Sequence, residues 1–178
     1  TALRKLKDSP DAYEAAIAAT SKGTRLMYVH AYQSLLWNQA ASERMRMSQD
    51  VLVGDIVVKR DANGVVLPSC EVALAGDGAD SEMNEDTNET VNIQRKEIFD
   101  ADIIHIVTSD DLVHERYHMR DVLLPVVGSL VKFPTNSLGD YYKDMLRSDN
   151  LSLETFSSGA SQYRMLGAYR KLLQYPED

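Results

Sequence analysis

The side chains in this 178-residue sequence best suited to acid–base, nucleophilic or metal chemistry near neutral pH are four histidines and one cysteine. His114 and His118 have the spacing that places two metal ligands on one face of a helix. The residues between them are Glu115, Arg116 and Tyr117, whereas a zincin needs glutamate directly after its first histidine. No third ligand follows at a familiar spacing, so no metal site is expected, and a metal-dependent hydrolase built on these two histidines stays a minor rival. Cys70 has neither an activated-cysteine signature nor a zinc-type partner, and no nucleophile elbow accompanies any serine. Phosphate-cradling glycine loops of the P-loop and dinucleotide kinds are missing as well, so the common nucleotide-dependent classes lose weight.

The carboxylates are abundant but unevenly placed. Asp77, Asp80, Glu82, Glu85, Asp86 and Glu89 fall in one stretch without a basic residue and supply most of the net charge of −8. Residues 76–90 are therefore expected to form a solvated, flexible acidic loop, and the rest of the chain is near charge balance. Read from the sum alone, this charge argues against phosphate binding; its distribution removes that objection. A hydrophobic fraction of 44% and a charged fraction of 26% are those of a globular domain. No run reaches the roughly 18 to 20 apolar residues of a membrane helix, and no membrane partner is expected. A single cysteine suits a reducing compartment.

The elements that must position these groups follow from the apolar spacing. Ser9, Pro10 and Asp11 read as a helix start, with the alanine-rich run from Ala12 to Ala19 behind them and Lys22-Gly23 as its end. From about Arg25 to Gln49, apolar residues recur every three or four positions, which predicts a long, largely buried helix. Val51 to Lys59 is strand-like, and Asn63-Gly64 signals a hairpin turn leading into a returning strand. Ile103 to Val107 suits a buried strand, with Thr108 to Asp111 as a helix cap. Leu123 to Phe133, interrupted by Pro125 and Gly128, reads as strand, turn, strand, and Ser137 to Leu146 as a helix closed by Ser148, Asp149 and Asn150. Tyr163 to Leu173 fits either a helix or an extended segment. Helices first, then strands, then mixed elements indicate an α+β fold.

One stretch is more specific than any of these patterns. Arg25-Leu26-Met27-Tyr28-Val29-His30-Ala31-Tyr32-Gln33-Ser34-Leu35-Leu36-Trp37-Asn38, extended by Ser42-Glu43-Arg44, closely resembles a signature helix of the eukaryotic branch of TruD-type tRNA pseudouridine synthases. Further similarities follow in family order: Gly54-Asp55-Ile56-Val57, His105-Ile106-Val107-Thr108, Asp121 to Gly128 with Phe133-Pro134-Thr135-Asn136, and Tyr163 to Lys171. Val53 and Val127 depart from it, standing where relatives typically carry proline.

The resemblance implies an enzyme whose catalytic domain is interrupted by an insertion domain, with RNA bound between the two and no cofactor or metal. It also implies that the catalytic aspartate and the Gln-Arg-Phe-Gly motif lie upstream of this chain, as expected for a piece of a longer protein. Residues 1–49 are then a helical segment leading into the insertion domain, residues 50–158 the insertion domain, and residues 159–178 a return to the catalytic domain. The parent would isomerise uridine to pseudouridine in tRNA and in other RNAs, in the nucleus or cytoplasm. Its partners would be RNA and the N-terminal catalytic half of the same protein.

No catalytic residue is expected here, and Asp55, Asp102 and Asp121 are read as structural or surface groups. The candidates for RNA contact are Arg25, His30 and Gln33 on the signature helix, and Tyr169, Arg170 and Lys171 near the end. Each has a competing structural role: Arg25 as a local cap, His30 and Gln33 as satisfied core polars, Tyr169 as packing. Tyr28 and Trp37 are expected to anchor the core. The rival to the enzyme reading is a non-catalytic RNA-binding or protein-interaction module.

Overall fold

β-Branched and leucine-rich runs this short pair only if their faces are covered, and the computed structural model shows how they are. It describes residues 7, 9, 11–60, 103–158 and 165–174. The expected hairpin after Asp61, the acidic loop, Cys70, Asp102, Tyr163 and Arg164 lie outside the described residues. Strands β1 (Ile56–Val58), β2 (Ile104–Ile106), β3 (Val122–Val126) and β4 (Ala168–Lys171) form an antiparallel sheet in the order β2-β1-β3-β4. The register pairs Ile56 with both Ile106 and Leu123, and Pro125 with Tyr169. Side chains alternate across the sheet, so Ile56, Val58, Ile104, Leu123 and Tyr169 pack with Val131 in one cluster. Val57 and Val122 pack in another with Val51 and Val107. Burial on both faces of β1 and β3 explains why these two read as apolar runs and not as alternating patterns.

The described helices are, in chain order, α1 (Tyr13–Ala18), α2 (Lys22–Met47), α3 (Ser109–Val113), α4 (Ser137–Ser148) and α5 (Thr155–Ser158). The mixture is α+β, as the element order predicts. The capping expectation at Thr108 also holds, because its hydroxyl accepts from Asp111 N while Asp111 accepts from Thr108 N. Helix α4 ends where the turn formers predict, with Asn150 at a positive φ of 56°.

Three expectations are corrected. Helix α1 starts at Tyr13 with Ala12 as its N-cap, because Ala12 N–H closes a turn onto Ser9 O before helical bonding begins. Helix α2 is not largely buried: its fully covered positions are Gln33, Leu36, Ala40 and Arg44, while Met27, Leu35 and Met45 are exposed and Tyr28, expected as a core anchor, is 62% exposed. The stretch from Leu123 to Phe133 is not strand, turn, strand. Strand β3 runs straight through Pro125, which is tolerated because β1 pairs only as far as Leu123 and because the Pro125 carbonyl accepts from the Tyr142 hydroxyl at 2.9 Å. The segment after it bonds to the approach to β4, through Ser129 N to Met165 O and Leu130 N to Leu166 O. Gly128 and Gly167 cross here so closely that a Cβ on Gly128 would lie 2.2 Å from Gly167 N.

The chain divides into two compact units, Thr1–Leu35 and Leu36–Asp178, so the division falls inside α2. The sheet, α3, α4, α5 and the second half of α2 belong to the second unit.

Candidate nucleic-acid interface

In the first unit the signature residues are locally bonded. Arg25 donates through Nη1 to Ala18 O at 3.0 Å and to Thr20 O at 2.6 Å, satisfying carbonyls at the end of α1. Ser21 accepts from Thr24 N and starts the next helix. His30 and Gln33 are brought together one turn apart, with Nδ1 of His30 3.1 Å from Oε1 of Gln33. Gln33 is 4% exposed.

In the second unit the polar centre is Arg44, fully buried and paired with Asp55 at 2.7 Å. Its remaining donors reach Ser48 O at 2.8 Å and Asp50 O at 2.7 Å, so one guanidinium closes the end of α2 and ties it to the strand entry. Asp55 also accepts from Leu52 N at 2.8 Å and from Asn136 Nδ2 at 2.9 Å. Asn136 meanwhile caps α4 through Leu138 N. Gly54, at φ +87°, sits where these segments meet, and a Cβ there would lie 2.8 Å from Asn136 N. Sequence reasoning placed Arg44 only in the extension of the signature helix and missed this partner. The available signal was a lone arginine on the buried face, four residues on from Ala40.

The C-terminal candidates do not form one surface. Tyr169 is 3% exposed, and its hydroxyl accepts from Lys132 N at 2.7 Å. Burial pushes its pKa up to about 12 against the opposing effect of that hydrogen bond. Strand alternation turns half-buried Arg170 to the opposite face from Tyr169 and exposed Lys171.

At the other edge of the sheet, His105 Nε2 lies 2.8 Å from Asp111 Oδ2, and its ring stacks on Tyr117 with centroids 5.5 Å apart. Asp111 also accepts from Thr108 N, Thr108 Oγ1 and Arg116 Nη1. Burial alone would raise the Asp111 pKa, but the hydrogen bonds from His105, Thr108 and Arg116 outweigh it and hold the carboxyl well below the usual range. His114 is the C-cap of α3, and Glu115 at φ 48° breaks the helix, so His114 and His118 do not share a helix face. Among the described residues no three His, Cys, Asp or Glu side chains group to hold a metal ion. Asp121 accepts from Arg60 and from His118 N, which gives it a structural role like that of Asp55.

An α+β unit with these motifs in this order has counterparts. The sequence model of the family tRNA pseudouridine synthase D (TruD) matches residues 1–178. The chain belongs to the TruD family. Pseudouridylate synthase PUS7L of Danio rerio is 30% identical over 155 residues, covering 86% of this chain and 20% of that protein. Multisubstrate pseudouridine synthase 7 of Schizosaccharomyces pombe is 28% identical over 167 residues, covering 93% of this chain and 22% of that protein. The chain thus spans about a fifth of the length of these curated relatives. The crystal structure of the TruD protein from Methanosarcina mazei shares the fold, with a TM-score of 0.52 at 20% identity over 97% of this chain and 34% of that one.

Proposed function

We propose that this chain is the RNA-positioning part of an enzyme that isomerises uridine to pseudouridine in tRNA and in other RNAs, and that it is inactive alone. The observation that carries the reading is the family match along residues 1–178 of a chain equal to about a fifth of its curated relatives. Support comes from the three buried aspartates among the described residues: Asp55, Asp111 and Asp121 are each committed to ion pairs and backbone donors. A carboxylate so engaged is a poor nucleophile or base. The nucleophile is assigned to a part of the parent upstream of this chain, and the insertion domain to residues 50–158.

The N-terminal catalytic half is the proposed partner of the first unit. Met27, Tyr28 and Leu35 lie along one exposed side of α2, and Tyr13 and Ile17 are exposed one turn apart on α1. An apolar surface of this kind marks a contact. RNA contacts are assigned to Arg25, His30, Arg170 and Lys171, with buried Gln33 holding the His30 ring and buried Tyr169 holding the strand that carries the last two. The parent is placed in the nucleus or cytoplasm with its RNA substrates, and a fluorescent fusion found outside both would contradict that.

The test is pseudouridine formation in an unmodified tRNA transcript, compared between this chain and the product of the full encoding gene. Activity in the full product and none in the chain is the expected result. Activity in the chain alone would overturn the division of labour, and a full product that binds RNA without modifying it would establish the non-catalytic module instead.

A further inference from the structure

A cavity of about 410 Å³ opens between the turn that leads α2 into β1 and the segment that joins α3 to β3. Both stretches are described without a break, as residues 48–60 and 103–126. Its apolar wall is formed by Val51, Leu112, Tyr117 and Met119, of which Val51, Tyr117 and Met119 pack in the cluster around Val57 and Val122. Asp50 and Glu115 line it as exposed side chains, and no lysine or arginine does. Among the described residues neither carboxylate has an ion pair or a side-chain hydrogen bond, because Arg44 is paired with Asp55 and Arg116 with Asp110 and Asp111. Both carboxylates rise from fixed backbone. Asp50 N–H is held by Ser48 Oγ at 2.9 Å and its carbonyl by Arg44 Nη2 at 2.7 Å. Glu115 follows the C-cap of α3 at φ 48°, a left-handed position that favours glycine. A glutamate there serves the helix end less well than glycine does, which points to a use for its side chain.

We propose that this cavity takes an arginine side chain from a segment of a protein partner, with the guanidinium meeting the Asp50 and Glu115 carboxylates and the aliphatic stem lying against Leu112 and Met119. The planar guanidinium matches carboxylates through several donors at once, and it is also attracted to an aromatic ring such as that of Tyr117. Its stem covers apolar surface while the head stays at the water boundary. An RNA base would bring its own phosphate to the same place, against two unpaired carboxylates. The site is independent of the RNA-positioning reading and uses none of the residues assigned there.

The test follows the Tyr117 ring and Met119 methyl resonances of the full chain by NMR while a blocked tripeptide, acetyl-Gly-Arg-Gly-amide, is added. Its lysine counterpart and the nucleoside cytidine, whose amino group a carboxylate also accepts, are titrated in parallel. The arginine peptide is expected to give saturable shifts, and the lysine peptide to bind more weakly. Asp50→Asn and Glu115→Gln should each weaken the arginine peptide roughly two- to fivefold, the scale of an exposed ion pair. Glu14→Gln serves as the charge control, since Glu14 is exposed on α1 in the other unit. Glu115→Gly should weaken it as much as Glu115→Gln while melting no lower than the wild type, a combination that a purely structural glutamate would not give.

Shifts with the arginine peptide that Asp50→Asn and Glu115→Gln weaken no more than Glu14→Gln overturn the site, as does the absence of any shift. Equal binding of the arginine and lysine peptides overturns the recognition of a guanidinium. A response to cytidine and none to the arginine peptide gives the cavity to a base and overturns the protein partner.

Discussion

The two halves of α2 carry similar apolar spacing and meet opposite fates. From Leu36 onward the helix is tied by Arg44 to Asp55, eleven positions away, and through Asp55 to Asn136 at the start of α4. Before that point the bonds described are local: Arg25 reaches back to Ala18 and Thr20, and His30 reaches Gln33. Met27, Tyr28 and Leu35 stay exposed while Leu36, Ala40 and Arg44 are buried. Periodicity therefore sets the helix but not which of its faces is covered. That depends on what the fold brings to it, and here one buried cation does the fastening.

Removing that cation should give the largest effect. Arg44→Ala leaves Asp55 as a buried charge without its counterion, and the expected loss is about 3 to 5 kcal/mol in chemical denaturation. The double variant Arg44→Met, Asp55→Leu should lose markedly less than Arg44→Ala, because no charge is stranded. A single variant within about 0.5 kcal/mol of wild type would break the contrast between the two halves.

Asp111 fastens the opposite edge, between β2 and α3. Asp111→Asn should cost about 2 kcal/mol near neutral pH, since several of its hydrogen bonds are to an ionised group. The folded carboxyl has a depressed pKa, so its contribution is complete above the unfolded value of about 4 and is lost as pH falls below it. Melting temperature followed from pH 6 to pH 2.5 should therefore drop more steeply in the wild type than in Asp111→Asn. Equal slopes would mean that the carboxylate does not hold this edge.

Much of this second unit was legible because its signals are local. Thr108 with Asp111, and the turn formers after α4, each specify an end by side-chain chemistry within a few residues. The Arg44–Asp55 pair, the crossing of Gly128 with Gly167, and the passage of β3 through Pro125 were not legible, because each depends on a partner supplied by the topology. Asn136 reaches Asp55 across 81 positions, and Tyr142 reaches Pro125 across 17. Among the candidate RNA contacts, the same alternation that could have been applied to β4 separates Arg170 from Tyr169 and Lys171. Tyr142→Phe tests the smaller of these long-range ties. The ring still stacks on Phe133 with centroids 4.9 Å apart, so only the bond to Pro125 O is lost and about 1 kcal/mol should follow.

The smallest effect should come from the exposed side of the first half. Replacing Met27, Tyr28 and Leu35 together with serine removes apolar surface that is already in water, so the stability of the isolated chain should change by less than about 0.5 kcal/mol per site. If these side chains instead meet the catalytic half, the same triple variant in the full gene product should lose far more, because contacts formed only there are removed while the chain itself is spared. Denaturation of both proteins, each with and without the substitutions, separates the cases. A large loss in the isolated chain would show that the first half of α2 is held as firmly as the second. A negligible loss in both would remove the argument that this face is covered in the parent.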